Sequence, residues 1–584
     1  MLKKLFFQLT ALNIFIGLVQ PFNQFIDSIL TGRGLGIEAL EAFALFLPIG
    51  SLMMALSCIF SVGTQVSCSH LMGSGKFEES TKLTQTSFLS SFVLSVVIAA
   101  TFIVFSSGIA VILGAGKEVP GQLNDTASYI RGYSFGIPAL FLNAVMAVLL
   151  QIEGKKHLVI LMSLLNLVIN AAGDLLNIFI FKKGLFGMAA ATSVSHITVF
   201  IVLLIYFLFF SKMFRFSLAH FDKSKLIDII KNGTPSLTFY GSVVFRTAFF
   251  NMLIITRLDR IVLSVMPVVN SCLTIIDAIF SGFGDAVLLL GGVFYGEKDP
   301  DEGKTLLKTS LSSGVAVFFL ISITTFAASV PIAKLFSDTN DAAFIAEASK
   351  AIKLTSLYFV PNIIACILKK YIQAVGRARY TAIANILCNA VYMCSAAFIM
   401  VNIIDSSGIF LSNLIGILMI LSTHLLYAYI LAQKSGRKGF DMLLYLPANY
   451  EVADDDIWKS SINNISDCIE ASKAILSQCG KRDIDSKRAY RISLFIEEMT
   501  SNIVQHGFRN GSSNKIMLKV LFLKDRIVLN IKDNCPRFDP KYYYNSISEN
   551  EDKTKGIGIR IVMKLAKKVS YTNTFNLNNL MIEI

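Results

Sequence analysis

Charge is scarce in this chain: Asp, Glu, Lys and Arg make up 16% of its 584 residues, against about 25% in ordinary soluble domains. With 54% hydrophobic residues and a mean hydropathy of +0.61, that shortage excludes an ordinary soluble protein. The nine cysteines form no CxxC pair with metal spacing, and the six histidines are scattered. Reduced thiols packed among small residues are the reading that remains. There is no GxxxxGK[ST] segment, which excludes a P-loop transport motor. No cleavable leader is expected, because the apolar stretch from Ala11 runs into a second one and reads as a retained span.

The charge that is present is unevenly placed. Residues 441–584 hold 21 basic and 18 acidic side chains, whereas residues 1–440 hold 32 and 22 over three times the length. The net charge of +13 does not point to nucleic acid, since most of the basic residues before 440 sit in short loops between apolar runs. That is the pattern of cytoplasmic loops in membrane proteins.

Spans of about 20 apolar residues fall near 11–30, 42–68, 87–113, 134–152, 158–181, 187–210, 236–256, 261–292, 311–333, 354–374, 381–403 and 408–432. The expectation is an all-α polytopic membrane protein of about 12 helices. Lys3/Lys4, Lys76/Lys82, Lys155/Lys156, the stretch 212–231, Lys298/Lys304/Lys308, Arg377/Arg379 and Arg437/Lys438 fall at every second connection. Lys182/Lys183 and Arg257/Arg260 fall on the other side. The majority places both termini in the cytoplasm of a cell-membrane protein.

The two halves repeat. Pro138 and Pro361 lie 223 residues apart, Gly73 and Gly296 also 223, Gly154 and Gly376 222, and the pair Asn166/Asn170 precedes Asn385/Asn389 by 219. An even number of spans per repeat gives two parallel six-helix bundles, expected at 1–215 and 216–435, with a binding cleft between them. A basic, glycine-containing linker (436–449) leads to a tail domain (450–584). In the tail, 485–506 has helical periodicity through Ile492, Phe495, Ile496, Met499 and Ile503. Segments 515–523 and 526–532 alternate as strands around Lys524 and Asp525. A second helix is expected over 556–569 and a last strand over 580–584, with Trp458 and the acids 454–456 as linker or domain entry.

In the membrane part, Gly63-Thr-Gln-Val-Ser67, Met72-Gly-Ser-Gly-Lys76, Gly187-Met-Ala-Ala-Ala191, Ile152-Glu-Gly-Lys155 and Val375-Gly-Arg377 resemble the multidrug and toxic compound extrusion (MATE) family of secondary antiporters. In the tail, Glu498-Met-Thr-Ser-Asn502 resembles the N-box of GHKL-type ATPases, Asp533-Asn-Cys535 their adenine box, and Gly556-Ile-Gly-Ile559 their Gly-x-Gly lid segment. Phe538-Asp-Pro540, with no histidine-bearing dimerisation helices, resembles the anti-sigma-factor serine-kinase branch. The resemblance implies an α+β GHKL sandwich that binds ATP and Mg²⁺.

Local chemistry supports each role. Glu498 and Asn502 share a helix face, so a catalytic carboxylate and a Mg²⁺-ligating amide converge on one phosphate tail. Asp533, at a strand end, suits the adenine amino group. Gly556 and Gly558 bring N–H groups to phosphate at a helix N-terminus. His506 shares the N-box face, as a phosphate contact or a helix cap. Lys553 and Lys555 read as γ-phosphate contacts or a solvated lid. Cys535 stands where the family usually has glycine, so a narrower base pocket is expected.

In the membrane part Asp27 is an acid in an apolar span, where the default reading is functional. It matches the first-span Asp that many bacterial MATE proteins use for proton or sodium coupling; a water-interface Asp is the plainer alternative. Asp277 and Asp285, eight residues apart, share a face that would line the cleft, and Arg246 is their candidate counter-ion or a snorkelling side chain. Asp174 reads as a structural hydrogen-bonding residue.

Three functions follow. The first is ion-coupled efflux of small organic, cationic or amphipathic compounds, with a nucleotide-sensing tail. The second is a membrane-tethered serine/threonine kinase acting on an anti-anti-sigma-type regulatory protein. The third is a receptor or scaffold without catalysis.

Overall fold

The computed structural model describes residues 2–115, 121–211, 213–336, 342–447, 450, 456–508, 514–523, 526–548, 556–574 and 577–584. The chain divides into two compact units, a helical one of Leu2–Leu150 with Lys156–Pro447 and one made of Ala448–Ile584 together with the short stretch Gln151–Lys155.

The first repeat of the helical unit runs α1 (Leu2–Leu35), α2 (Ile37–Gly73), α3 (Phe77–Ile112), α4 (Gln122–Ser134), α5 (Ile137–Ile152), α6 (Lys156–Leu176) and α7 (Gly184–Ile205). The second runs α8 (Lys223–Arg257), α9 (Arg260–Gly296), α10 (Pro300–Ala327), α11 (Ser329–Lys334), α12 (Ala342–Ser356), α13 (Phe359–Ala374), α14 (Ala378–Ile386), α15 (Cys394–Ile404) and α16 (Ser406–Ser435). Among the described residues ten helices are long and apolar enough to cross a membrane, or twelve when two bent pairs each count as one span. Those pairs, α4 with α5 and α12 with α13, bend by 46° and 42°. Pro138 and Pro361 stand just past the two breaks. A proline has no N–H and its ring crowds the carbonyl four residues back, so matching bends follow from matching prolines. Large apolar side chains face outward along the spans, with Val104 72% and Phe209 77% exposed. Lipid, not water, suits such a surface.

The repeats meet where α1 packs on α9 and α2 on both α8 and α9. Over one half of these helices the backbones touch. A Cβ on Gly63 would collide with the Ile229 carbonyl, and one on Gly233 with the Ile59 carbonyl. Gly73 and Gly296 press in the same way on the carbonyls of Val293 and His70. Polar bonds cross the seam beside them: His70 Nε2 to the Ala374 carbonyl at 2.5 Å, Asn232 Nδ2 to Ser67 Oγ at 2.9 Å, and Lys225 Nζ to Glu79 at 2.8 Å. Toward the other end α9 exposes Ser264, Asn270, Ser271, Thr274 and Asp277 at three-to-four spacing. A polar stripe of this kind faces water, since lipid would leave its groups unsatisfied.

The tail contains β1 (Ile457–Ile462), α17 (Ile465–Gly480), α18 (Ser486–Gly507), β2 (Ile516–Phe522), β3 (Ile527–Asp533), α19 (Pro540–Ser548), α20 (Ile557–Leu565), β4 (Lys568–Thr574) and β5 (Leu577–Glu583). The strands form one antiparallel sheet in the order β1-β2-β3-β5-β4. Ile492, Phe495, Ile496 and Met499 of α18 are buried in one core with Ile475 of α17 and with Leu518, Val520, Leu529, Ile531 and Ile582 of the sheet. Asp485 caps α18 by accepting from the Arg488 N–H at 3.2 Å. Four buried apolar side chains, at about 2 kcal/mol each, outweigh a cap worth about 1 kcal/mol, so packing places this helix.

Two tail expectations change. The segment 556–569 is not one helix: α20 stops at Leu565, Ala566 is extended (φ −75°, ψ 142°), and Val569 lies in β4. Its Val-Ser-Tyr-Thr run suits a pleated, half-buried strand paired with β5. Of the two readings of Trp458, domain entry holds and linker does not: it lies in β1, the first strand of the tail, and packs on the core. Lys524, Asp525, Asp454 and Asp455 lie outside the described residues.

Candidate functional site

In the first repeat α1 and α6 bring together Asp27, Asn170 and Asp174. Asn170 Nδ2 donates to Asp27 Oδ1 at 2.7 Å and also approaches Asn23 Oδ1 at 3.1 Å. The Asp174 carboxyl lies against that of Asp27. Both carboxylates are buried, and neither Asp174 oxygen receives an N–H or hydroxyl donor among the described residues. Two carboxyl groups in contact cannot both carry unscreened charge; the arrangement calls for a proton or a cation between them. Asp174 thus belongs to the Asp27 cluster, a role that its reading as a structural residue missed. The signal was its four-residue spacing from Asn170, which puts both on one face of α6.

In the second repeat the expected residues do not converge as one acid site. Asp285 pairs with Lys370 Nζ at 2.6 Å. Arg246 Nη1 donates to Asn389 Oδ1 at 3.0 Å and contacts Met393 Sδ at 3.0 Å. Asp277 is exposed on the polar stripe of α9, within electrostatic reach of Arg246 and Lys369. Lys369 Nζ lies 4.9 Å from the centre of the Phe239 ring. Lys369 and Lys370 lie inside the expected span 354–374, where the sequence shows no partner for them; tertiary packing supplies Asp285 for Lys370.

In the tail, α18 carries Glu498 and Asn502 one turn apart, and His506 stands exposed in its last turn. Gly556 caps α20 with φ 64°, a left-handed conformation that costs other residues about 1–2 kcal/mol. The Glu498 carboxylate lies where a Cβ on Gly558 would stand, so the N-box acid touches the start of the lid helix. Lys555 lies outside the described residues.

Asp533 ends β3 and is buried. Its Oδ1 accepts from the Cys535 N–H at 2.9 Å and from Asn578 Nδ2 at 2.8 Å. Both of these bonds fall on Oδ1, and the Cys535 thiol also lies within hydrogen-bond reach of the carboxylate; a buried acceptor at a strand end fits an adenine amino group, with the thiol as its competitor. Asn578 was invisible in the motifs; it enters through the pairing of β3 with β5, where it faces Asp533. The Cys535 side chain packs against Gly507 at the end of α18, and burial, followed by the neighbouring Asp533 charge, pushes its thiol up to about 12.

Burial holds the Asp533 carboxyl above its ordinary range, with Asn578 and the Cys535 N–H opposing. A carboxyl raised in the fold contributes stability while it is protonated, and that contribution is lost as pH rises through the folded value. The tail is therefore expected to gain stability as pH falls through the range, above that of an ordinary carboxylate, in which Asp533 takes up its proton, and Asp533→Asn to flatten that slope. Trp458, the one tryptophan in the chain, reports urea unfolding of the tail within the intact protein. An Asp533→Asn slope equal to wild type would refute the assignment.

Residues 13–176 and 242–399 match the family described as MatE. Residues 466–582 match the Histidine kinase-like ATPase domain. The chain is 24% identical over 398 residues to the "Multidrug export protein MepA" of Staphylococcus saprophyticus, covering 68% of this chain and 86% of that protein. It is 23% identical over 389 residues to the "Probable multidrug resistance protein YoeA" of Bacillus subtilis, covering 63% and 80%. Among solved structures, a MOP superfamily transporter from Pyrococcus furiosus aligns with a TM-score of 0.68 at 22% identity, over 75% of this chain and 97% of that one. A multidrug resistance MATE family transporter described in an outward-facing conformation aligns at 0.67 and 20%, over 74% and 95%. The helical unit with its ten to twelve candidate spans and the antiparallel sheet of the tail are consistent with these two family matches. The protein is a member of the MatE family of multidrug efflux transporters, with a histidine kinase-like ATPase domain fused behind its spans.

Proposed function

We propose that the protein exports small organic compounds, cationic or amphipathic in character, in exchange for protons or sodium ions, and that its tail binds ATP with Mg²⁺ to regulate export. The observation that carries this reading is the contact between the Asp27 and Asp174 carboxyls, with Asn170 Nδ2 2.7 Å from Asp27. It is a cation-requiring site in an apolar bundle, on the repeat-to-repeat architecture that alternating access needs. The named export function of the similar proteins supports the cargo class. With the basic loops cytoplasmic, the touching half of the seam is the cytoplasmic half, and this conformation opens outward. Both termini, the bundles 1–215 and 216–435, the tether 436–449 and the domain 450–584 are assigned on the same basis.

In the tail, Asn502 would ligate Mg²⁺, Asp533 would accept from adenine, and the N–H groups at Gly556 and Gly558 would meet phosphate. His506 and Lys555 would flank the phosphate tail. ATP would supply a phosphoryl group and a binding signal; Glu498, held against the start of α20, would act as the general base for a serine hydroxyl. That placement favours a second reading, a kinase acting on a small serine-bearing regulatory protein of the anti-anti-sigma type.

A gradient can energise export by itself, since one charge moved across 100 mV yields about 2.3 kcal/mol. Nucleotide would only tune the conformational balance, by about 1–3 kcal/mol. The test uses Glu498→Ala protein in sealed vesicles with an imposed ion gradient, no ATP, and tetraphenylphosphonium or ethidium as cargo. Accumulation should continue and collapse with an ionophore, and ATP should shift the wild type only several-fold. Transport that requires ATP hydrolysis and ignores the ionophore would overturn the antiporter reading. Asn502→Ala should separately remove the Mg²⁺-dependent part of ATP binding, measured by calorimetry on the whole protein.

A further inference from the structure

The repeat relates three residue pairs at one spacing. Asp27 and Arg246, Asn170 and Asn389, and Asp174 and Met393 are each 219 residues apart. The contacts repeat with them. In the first repeat Asn170 Nδ2 donates to Asp27 and Asp174 lies alongside; in the second Arg246 Nη1 donates to Asn389 Oδ1 and touches Met393 Sδ. The skeleton is the same and the sign is reversed. The Asn389 amide nitrogen is spent on the Asn385 carbonyl at 3.2 Å, so its oxygen is the atom turned to Arg246. Asn389 and Met393 stand on a π-helical stretch, Leu387–Met393, a distortion of the kind found at functional sites.

The charges around Arg246 do not cancel. Lys370 is neutralised by Asp285. Arg246 and Lys369 form no ion pair among the described residues, and Asp277 supplies one negative charge within electrostatic reach of both. Two half-buried cations against one acid leave an excess of one positive charge beside the water-facing stripe of α9, where partial burial still makes an unmatched cation costly. The Nη1 atom of Arg246 is occupied by Asn389 and Met393. Among the described residues its Nε–Nη2 edge has no hydrogen-bond partner; that edge is the fork that takes two oxygens of one oxyanion.

We propose that Arg246, backed by Lys369, binds a carboxylate-type oxyanion in the second repeat, so that the transporter carries a cation site and an anion site at matching places. The proposal rests on the export reading only in that the oxyanion travels with the cargo, as its own carboxylate or as a small companion ion. Asp277 competes with the anion for the two cations and sets its affinity.

The test is equilibrium binding of radiolabelled benzoate to the full chain in phosphatidylcholine nanodiscs. Wild type should bind. Arg246→Gln should weaken binding at least tenfold, and Lys369→Met several-fold. Arg246→Lys should restore part of the affinity, because it returns the charge without the fork. Asp277→Asn should tighten binding several-fold. Absence of benzoate binding to wild type at millimolar concentrations, or Arg246→Gln binding like wild type, overturns the proposal. If Arg246→Gln does not fold, Asp277→Asn decides: an affinity no tighter than wild type overturns it. Displacement of benzoate by acetate assigns the site to a small companion ion, and failure of acetate to displace it assigns the site to a carboxylate on the cargo. Gradient-driven tetraphenylphosphonium export is measured on the same protein reconstituted into sealed phosphatidylcholine vesicles. Export without benzoate binding removes the anion site alone; benzoate binding without export removes the export reading and leaves the site.

Discussion

Asp27→Asn is expected to abolish gradient-driven export while leaving the protein folded in the membrane. The substitution keeps the shape of the side chain. The new amide oxygen still accepts from Asn170 Nδ2, which now meets Asp27 at 2.7 Å. The new amide nitrogen offers a donor to the Asp174 carboxylate, whose two buried oxygens have none among the described residues. Packing and hydrogen bonding thus stay intact, and a like-charge contact is relieved. What disappears is the second carboxylate, and with it the reason for the site to take up a proton or sodium ion. One charge coupled to 100 mV can sustain about 2.3 kcal/mol of cargo gradient, about a fifty-fold accumulation. In Asp27→Asn vesicles that ratio should fall to unity, with the same expected of Asp174→Asn. Wild-type accumulation by Asp27→Asn across a range of pH and sodium would remove ion coupling from this site.

Much of this arrangement was legible in the chain because a membrane imposes strong rules. A span must be long and apolar, so the helices stood out; a repeat with one offset in Pro138/Pro361 and Gly73/Gly296 fixed the two bundles. The Asn166/Asn170 and Asn385/Asn389 pairs even carried the 219-residue spacing on which the two sites lie. What that pattern did not convey was sign. Arg246 looks like a counter-ion when acids such as Asp277 and Asp285 share its region, and only tertiary packing shows that Lys370 takes Asp285 while Arg246 turns to Asn389. The same holds in the tail. The N-box, the adenine box and the lid glycines are local motifs on short segments. Asn578 acts on Asp533 through strand pairing over 45 residues, and no local pattern announces that. The helix expected over 556–569 failed for a related reason: Val569 is apolar at a helical position, but its partner is Ile582 across the sheet.

Gly233→Val is expected to stop transport by holding the repeats apart at the end where they now touch. A Cβ on Gly233 would meet the Ile59 carbonyl, an acceptor in the backbone of α2, with Ile59 Cα close behind it. A side-chain obstacle could swing aside; a helical carbonyl cannot move without α2 moving with it. Overpacking of this kind costs about 1–3 kcal/mol even where side chains give way, and two opposed backbones stand at the upper end or beyond it. About 3 kcal/mol shifts a two-state balance by about two powers of ten, enough to remove the closed state from the working cycle. The reciprocal contact makes the same demand of Gly63, whose Cβ would strike the Ile229 carbonyl, so Gly63→Val should behave alike. Spin labels on Lys76 and Lys298, both exposed just beyond the ends of α2 and α9, read the separation directly by pulsed electron resonance. The label distance should lengthen in Gly233→Val and vesicle export should fall to background. Gly241→Val is the control: it lies two turns further along α8 with nothing within 4 Å of its Cβ position, and it should export as wild type. Export by Gly233→Val with an unchanged label distance would show that the glycine contacts are not a closure on which transport depends.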